Sequence, residues 1–240
     1  MPDQMADDRA GRDASPAVIP FPTGRKRAPS RDRILEAVLA VSGERGYETV
    51  AVSDVLERAE VSRATFYKYF EDREDCFVQA HRDACEWLHT RLVSIAKRQP
   101  SWREGLRAAM ADFLDFCANQ PAVAKAIVVE VHAAGPRAMA QREDLMERLS
   151  RAVDGARREI PTRQAPPPVT STFIVGAIDA LVSAKLMDDD AARAPEMLPG
   201  LLYFVVRLYF DEKTAWEEMA AAPLAQWDAR RGAAGELPER

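Results

Sequence analysis

Val50-Ala51-Val52-Ser53-Asp54-Val55-Leu56-Glu57-Arg58-Ala59, then Glu60-Val61, then Ser62-Arg63-Ala64-Thr65-Phe66-Tyr67-Lys68-Tyr69-Phe70: the reading of this stretch decides the fold. Val52, Val55, Leu56 and Ala59 fall on one face of a short helix, and Ser62 opens a second short helix that runs to Phe70. Val61, Phe66 and Phe70 are spaced to pack inward, which leaves Arg63, Thr65, Tyr67, Lys68 and Tyr69 outside, with no acid between Ser62 and Phe70. Small Ala64 lets the backbone approach a partner closely, Arg63 offers a fork of donors to guanine or phosphate, and the Ser62 and Tyr67 hydroxyls suit phosphate oxygens. A helix-turn-helix requires these properties of its second helix, whose N-terminal residues reach base edges while apolar residues behind lock it to the first.

Upstream, Ile34, Leu35, Val38, Leu39 and Val41 recur at helical spacing behind a capping Ser30, and Gly46 supplies the stop. Residues 1–29 are rich in Pro, Gly, Asp and Arg without apolar periodicity, which predicts a disordered arm. Arg25-Lys26-Arg27, just before the first helix, reads either as a DNA-reaching patch or as a solvated tail. Downstream, Asp72 is placed to cap a long helix whose apolar positions Phe77, Ala80, Ala84, Leu88, Leu92 and Ile95 run unbroken to Pro100. Ser101 and Glu104 form a capping-box pattern ahead of Trp102, Leu106, Ala109, Met110, Phe113 and Cys117. Residues 122–132 are apolar nearly all round and predict a buried central helix; Gly135-Pro136 breaks it, and Met139, Leu145, Leu149 and Val153 mark the next.

The stretches 168–187 and 195–211 carry few charges and need a partner to cover them. After Asp211 the chain turns polar and Ala-rich, with Trp216 and Trp227 as isolated anchors, so little more than partial helix is expected there. No strand alternation and no internal repeat are evident. The expectation is an all-α protein: an arm (1–29), a three-helix DNA-binding domain with the helix-turn-helix (30–75), a helical ligand-binding and dimerisation domain (76–215) and a tail (216–240).

The residues quoted give a more specific resemblance. Ile34-Leu35, Gly46-Tyr47, Ala59 followed by Val61-Ser62, Thr65-Phe66-Tyr67 and Phe70 fall where the tetracycline-repressor (TetR) family has its pattern, over about residues 31–80. The resemblance implies that the helix starting at Ser62 is the recognition helix, that Tyr67 and Lys68 face phosphate or groove, and that Arg73 stands where a phosphate-binding lysine is frequent. It implies a homodimer on a palindromic double-stranded operator, acting as a repressor released by a small-molecule effector. The chain departs from the pattern twice. Glu60 stands where the turn usually has Gly and must accept its backbone geometry, and Val50-Ala51 replaces paired threonines, so that Thr49 or Ser53 must cap the helix.

Composition limits the alternatives. The 240 residues carry a formal charge of −5, the wrong sign for a protein that coats nucleic acid indiscriminately, so DNA binding has to be local. Cys76, Cys85 and Cys117 make an odd count without a CxxC pair, which suggests neither disulfides nor a zinc knuckle. The Val18-Ile19-Pro20-Phe21 patch is too short for a signal-peptide core, and no apolar run is read as a membrane span, so a cytoplasmic protein is expected. No GxSxG, Gly-rich phosphate loop or HExxH appears, so no enzyme and no cofactor are expected; the non-catalytic rival is a helical interaction protein that does not bind DNA.

His81, Cys85 and His89 share a helix face, but the outer two lie about 12 Å apart at 1.5 Å per residue, too far for one ion. Ordinary packing is the expectation there and no metal site is assigned, with redox sensing by Cys85 or Cys117 the minor alternative. For the effector, Trp87, Phe113, Cys117, Glu130 and His132 are the candidate pocket residues, although the aromatics suit a core equally well and Glu130 suits an ion pair with an Arg.

Overall fold

The computed structural model describes residues 29–161 and 164–222, and every regular element among them is helical. Arg25, Lys26, Arg27 and Trp227 lie outside the described residues.

The N-terminal unit is built from α1 (Pro29–Arg45), a 3-10 turn (Tyr47–Thr49), α2 (Val52–Ala59) and α3 (Arg63–Tyr67). Gly46 ends α1 at φ 84°, a backbone state that costs a glycine almost nothing. Ile34, Val38, Val55 and Phe66 are completely buried, and Phe66 stacks at a tilt on Phe70 with ring centroids 5.5 Å apart. Neither Thr49 nor Ser53 caps α2. Thr49 turns its hydroxyl back to the Arg45 and Gly46 carbonyls, and it is the Asp54 carboxylate that accepts the Ala51 amide at 2.7 Å. The third helical residue thus supplies what the flanking hydroxyl was expected to.

Asp72 caps α4 (Arg73–Lys97) as expected, its carboxylate accepting the Asp75 amide at 2.8 Å. The larger unit continues through α5 (Trp102–Asn119), α6 (Pro121–Val128), a 3-10 turn (Glu130–Ala133), α7 (Pro136–Val153), a second turn (Asp154–Arg158), α8 (Thr170–Met187), a third turn (Ala191–Met197), α9 (Leu198–Arg207) and α10 (Glu212–Ala220). The Ser101 capping pattern is half realised: its hydroxyl accepts the Glu104 amide but then donates to the Glu104 carboxylate rather than leaving that group to the backbone. The fully apolar segment is shorter than expected, because α6 ends at Val128 and tightens into the turn.

α4 lies against α5 and α7, held by the two-pronged Arg91–Asp112 pair at 2.6 and 2.5 Å and by Arg148–Glu86 at 2.8 Å. α6 packs against α1, so it joins the two units. That packing requires Gly43: a Cβ there would sit 1.7 Å from the Ala122 carbonyl oxygen. The boundary expected between residues 215 and 216 falls inside α10, which folds onto α9 and anchors buried Glu218 to Arg103 at 3.2 Å and Arg107 at 2.8 Å.

α8 corrects one further expectation. By length and composition its 18 residues are apolar enough to cross a membrane. It also carries Asp179 in an ion pair with Arg142 of α7 and packs on α6 and α7.

Candidate DNA-binding face and cavity

α3 is short, and its ends explain why it holds. The Ser62 hydroxyl accepts the Thr65 amide at 3.1 Å, and Phe66 plugs the core from the opposite face. Glu60 takes up the left-handed conformation (φ 52°, ψ 49°) that the turn demands, which lets α3 fold back across α2. Ser62, Arg63, Ala64, Tyr67 and Lys68 are consequently exposed on one outer surface, with Thr65 half-buried beside them. Tyr67 keeps half of its surface in solvent. Tyr69 sits differently from the expectation, half-buried against the core with the Lys68 ammonium 5.6 Å from its ring.

Arg73 is turned inward. Its guanidinium donates to the carbonyls of Tyr47 (2.9 Å) and Val50 and lies 4.3 Å from the Tyr47 ring centroid. It therefore ties the start of α4 to the loop before α2, an arrangement that the position of a phosphate-binding lysine does not suggest.

A cavity of about 530 Å³ opens between α4, α5, α7 and α8. Its walls are Leu88 and Leu92 of α4, Leu106, Met110 and Phe113 of α5, Leu145 and Leu149 of α7 and Ile178 of α8, with Ile127 and Val128 of α6 at the inner end. Arg142 and Asp179 meet there as an ion pair, and burial raises the Asp179 carboxyl above its ordinary value against the pull of Arg142. The other end is polar and exposed, with Lys97, Arg151, Arg158 and Glu159 around it.

Of the five candidate pocket residues only Phe113 lines this cavity. Trp87 packs on Phe116 with centroids 5.4 Å apart, and Cys117 is buried in the core. His132 is exposed, its ring 2.9 Å from the Val129 carbonyl. Glu130 neither lines the cavity nor meets an arginine: its carboxylate accepts the Tyr47 amide at 2.7 Å, across 83 residues of sequence, at the junction of the two units. Arg142, Asp179 and the cationic rim were missed. Each is an ordinary charge on an amphipathic helix, and nothing in the sequence pairs residue 142 with residue 179.

The three cysteines are buried, and desolvation pushes the Cys85 and Cys117 thiols up to about 12, which keeps them protonated and unreactive. His81 is buried with Nε2 3.2 Å from the Ile127 carbonyl, so Nε2 carries the proton; Nδ1 lies 3.4 Å from the Gln141 side-chain amide and 3.6 Å from the Cys85 sulfur. No group of metal-ligating residues occurs among the described residues.

Against known proteins, residues 34–80 match the bacterial regulatory proteins of the tetR family. Over that stretch the chain is similar to members of that family. The sequence is 37% identical over 70 residues to the HTH-type transcriptional repressor KstR of Rhodococcus jostii, covering 29% of this chain and 33% of the relative. It is 44% identical over 50 residues to KstR of Mycolicibacterium smegmatis, 21% and 24% of the two chains. The match thus spans a third or less of these curated relatives.

A likeness of fold alone extends beyond that stretch. FadR, the fatty acid degradation regulator of Bacillus halodurans, superposes with a TM-score of 0.65 at 19% identity over 76% of this chain and 97% of its own. FadR of Bacillus subtilis, solved with stearoyl-CoA, gives 0.63 at 19% identity over 74% and 98%. A gamma-butyrolactone receptor, an ArpA-like protein, gives 0.64 at 17% identity over 83% and 97%.

Proposed function

We propose that the protein is a ligand-responsive transcriptional repressor that binds a palindromic operator as a homodimer and leaves it when a small molecule enters the α4/α5/α7/α8 cavity. The observation that carries this reading is the exposed set Ser62, Arg63, Ala64, Tyr67 and Lys68, presented without an acid by the recognition helix of a tetR-family domain. Arg63 and Tyr67 are the base- and phosphate-facing residues, with Lys68 and Thr65 in support. Arg25-Lys26-Arg27 extends the contact onto the neighbouring backbone, and Arg73 acts by fixing the domain rather than by touching phosphate.

The exposed apolar side chains support the dimer. Among the described residues, Tyr67 aside, the large ones lie from just before α8 to α10: Val169, Phe173, Leu181, Met187, Phe204, Leu208 and Trp216. On α8 the exposed surface at Phe173, Gly176, Ala177, Ala180, Leu181 and Ala184 is uncharged, and a Cβ at Gly176 or Gly200 would meet nothing within 4 Å. A second copy related by a twofold axis would cover this face with its own, giving a four-helix interface and setting two recognition helices about 34 Å apart. Such a protein works in the cytoplasm on chromosomal DNA, and α8 packs on its twin rather than crossing a membrane.

The test is retention of genomic DNA fragments across a salt titration, wild type against Arg63→Ala/Tyr67→Ala. The wild type is expected to retain a palindromic fragment that the variant loses. Equal behaviour of the two, without fragment preference, would leave a helical interaction protein as the better account.

A further inference from the structure

The shape and charge of the cavity narrow what it takes. It is lined by α5 from Trp102 to Phe113 and by α7 from Arg142 to Val153, each a run of about 16 Å at 1.5 Å per residue. Spread over that length, about 530 Å³ corresponds to a mean cross-section on the order of 30 Å², which is a channel rather than a chamber. A staggered carbon chain with bonds of about 1.5 Å advances about 1.25 Å per bond, so the channel holds roughly a dozen carbons.

Its two ends differ in charge. At the inner end Arg142 and Asp179 neutralise each other, and an anion placed there would have to displace Asp179. At the outer end Lys97, Arg151 and Arg158 face one acid, Glu159, whose carboxylate already accepts the Trp102 amide at 2.7 Å. Among the described residues Arg151 pairs with exposed Glu147 at 3.5 Å. Apolar walls want a ligand body without hydrogen-bonding groups, and a cationic rim in water attracts an anion without burying it.

From this channel and rim we infer that the ligand is a single-chain amphiphile with an anionic head, its chain along α5 and α7 and its head held by Lys97, Arg151 and Arg158. The inference rests on reading the cavity as the effector site. A free carboxylate and a phosphorylated carrier thioester both provide that head, and chain length is set by the distance from the rim to the Arg142–Asp179 pair.

The full-length protein is titrated calorimetrically with dodecanoate, dodecanoyl-CoA and dodecan-1-ol, and the titrations are repeated with Lys97→Glu/Arg158→Glu, two exposed positions far from α3. At least one of the two anions is expected to bind about tenfold or more tightly than the alcohol, and charge reversal to remove that preference while operator affinity without ligand stays put. Tighter binding of the thioester assigns the head to the phosphorylated carrier; tighter binding of dodecanoate assigns it to the free acid. Alcohol binding equal to the anions, unchanged affinity after charge reversal, or no binding of any of the three overturns the inference. Operator retention measured on the same samples separates the two readings: a protein that holds its operator but ignores all three amphiphiles remains a repressor with a different effector.

Discussion

Glu60 adopts the left-handed conformation at the hinge of the helix-turn-helix, where its Cβ crowds the following carbonyl. Replacing it by glycine relieves that crowding but gives the unfolded chain more freedom, so the net gain should be modest. Glu60→Gly is expected to raise the stability to chemical denaturation by about 0.5–1 kcal/mol, and to tighten DNA binding by removing a carboxylate beside the recognition helix. A destabilised variant would mean that the glutamate's own contacts outweigh the backbone term.

His81 is a second residue with a measurable signature. Desolvation holds its pKa below the ordinary histidine value, against the hydrogen bonds to Ile127 and Gln141 that raise it. The unfolded chain therefore binds a proton that the folded one refuses, and stability is full above pH 6.5 and lost as pH falls from there towards the lowered folded value. One such proton gives a slope of at most about 1.4 kcal/mol per pH unit. Denaturation of wild type and His81→Gln between pH 7.5 and 5.5 should show a steeper decline in the wild type. Parallel curves would remove His81 from the pH response.

Among the elements, α6 and the turn after it occupy the decisive place. Ile127 and Val128 touch the cavity, Ala122 fits against Gly43 of α1, and Glu130 holds the Tyr47 amide, so one short segment touches the cavity and the N-terminal unit together. Under the proposed mechanism a shift of the inner cavity wall would reach α1 and the loop before α2 through these contacts, and Arg73 holds the same loop from α4. Loss of Glu130 should uncouple the two units without touching the cavity. In Glu130→Ala, the affinity for the ligand is expected to stay unchanged while the ligand's effect on operator affinity shrinks from a coupling of about 1–3 kcal/mol to well under 1. Fluorescence binding for the first and operator titration with and without ligand for the second read these separately; equal loss of both would make Glu130 a folding residue.

At the scale of the whole molecule, the apolar face of α8 and α9 asks for cover. A homodimer through it would bury Phe173 and Phe204, both about two-thirds exposed in the single chain. Phe173→Glu/Phe204→Glu places like charges on both sides of the twofold and should shift the protein to monomer in analytical ultracentrifugation. With half of the phosphate contacts gone, its operator affinity should fall by about two orders of magnitude or more, with a shallower salt dependence. A variant that remains dimeric would move the interface to another face.

The sequence by itself determined the helical class, the outward turn of Arg63, Tyr67 and Lys68 on α3 and the punctuation of the chain. These depend on neighbours a few residues apart: the 3.6-residue apolar period, Gly46 after α1, Asp72 and Ser62 as caps, and the spacing of Phe66 and Phe70 that turns Arg63 and Tyr67 outward. Only the tertiary structure decided where the cavity lies and which charges serve it. Trp87 and Cys117 had the composition of pocket residues but face the core, and Glu130 had the composition of a pocket acid but bonds to a backbone amide 83 residues away. Arg142, Asp179, Lys97 and Arg158 read as ordinary solvated charges until α4, α5, α7 and α8 come together. The physical reason is range: capping and periodicity are set within one turn of helix, whereas a cavity is the space left between helices and exists only once they have packed.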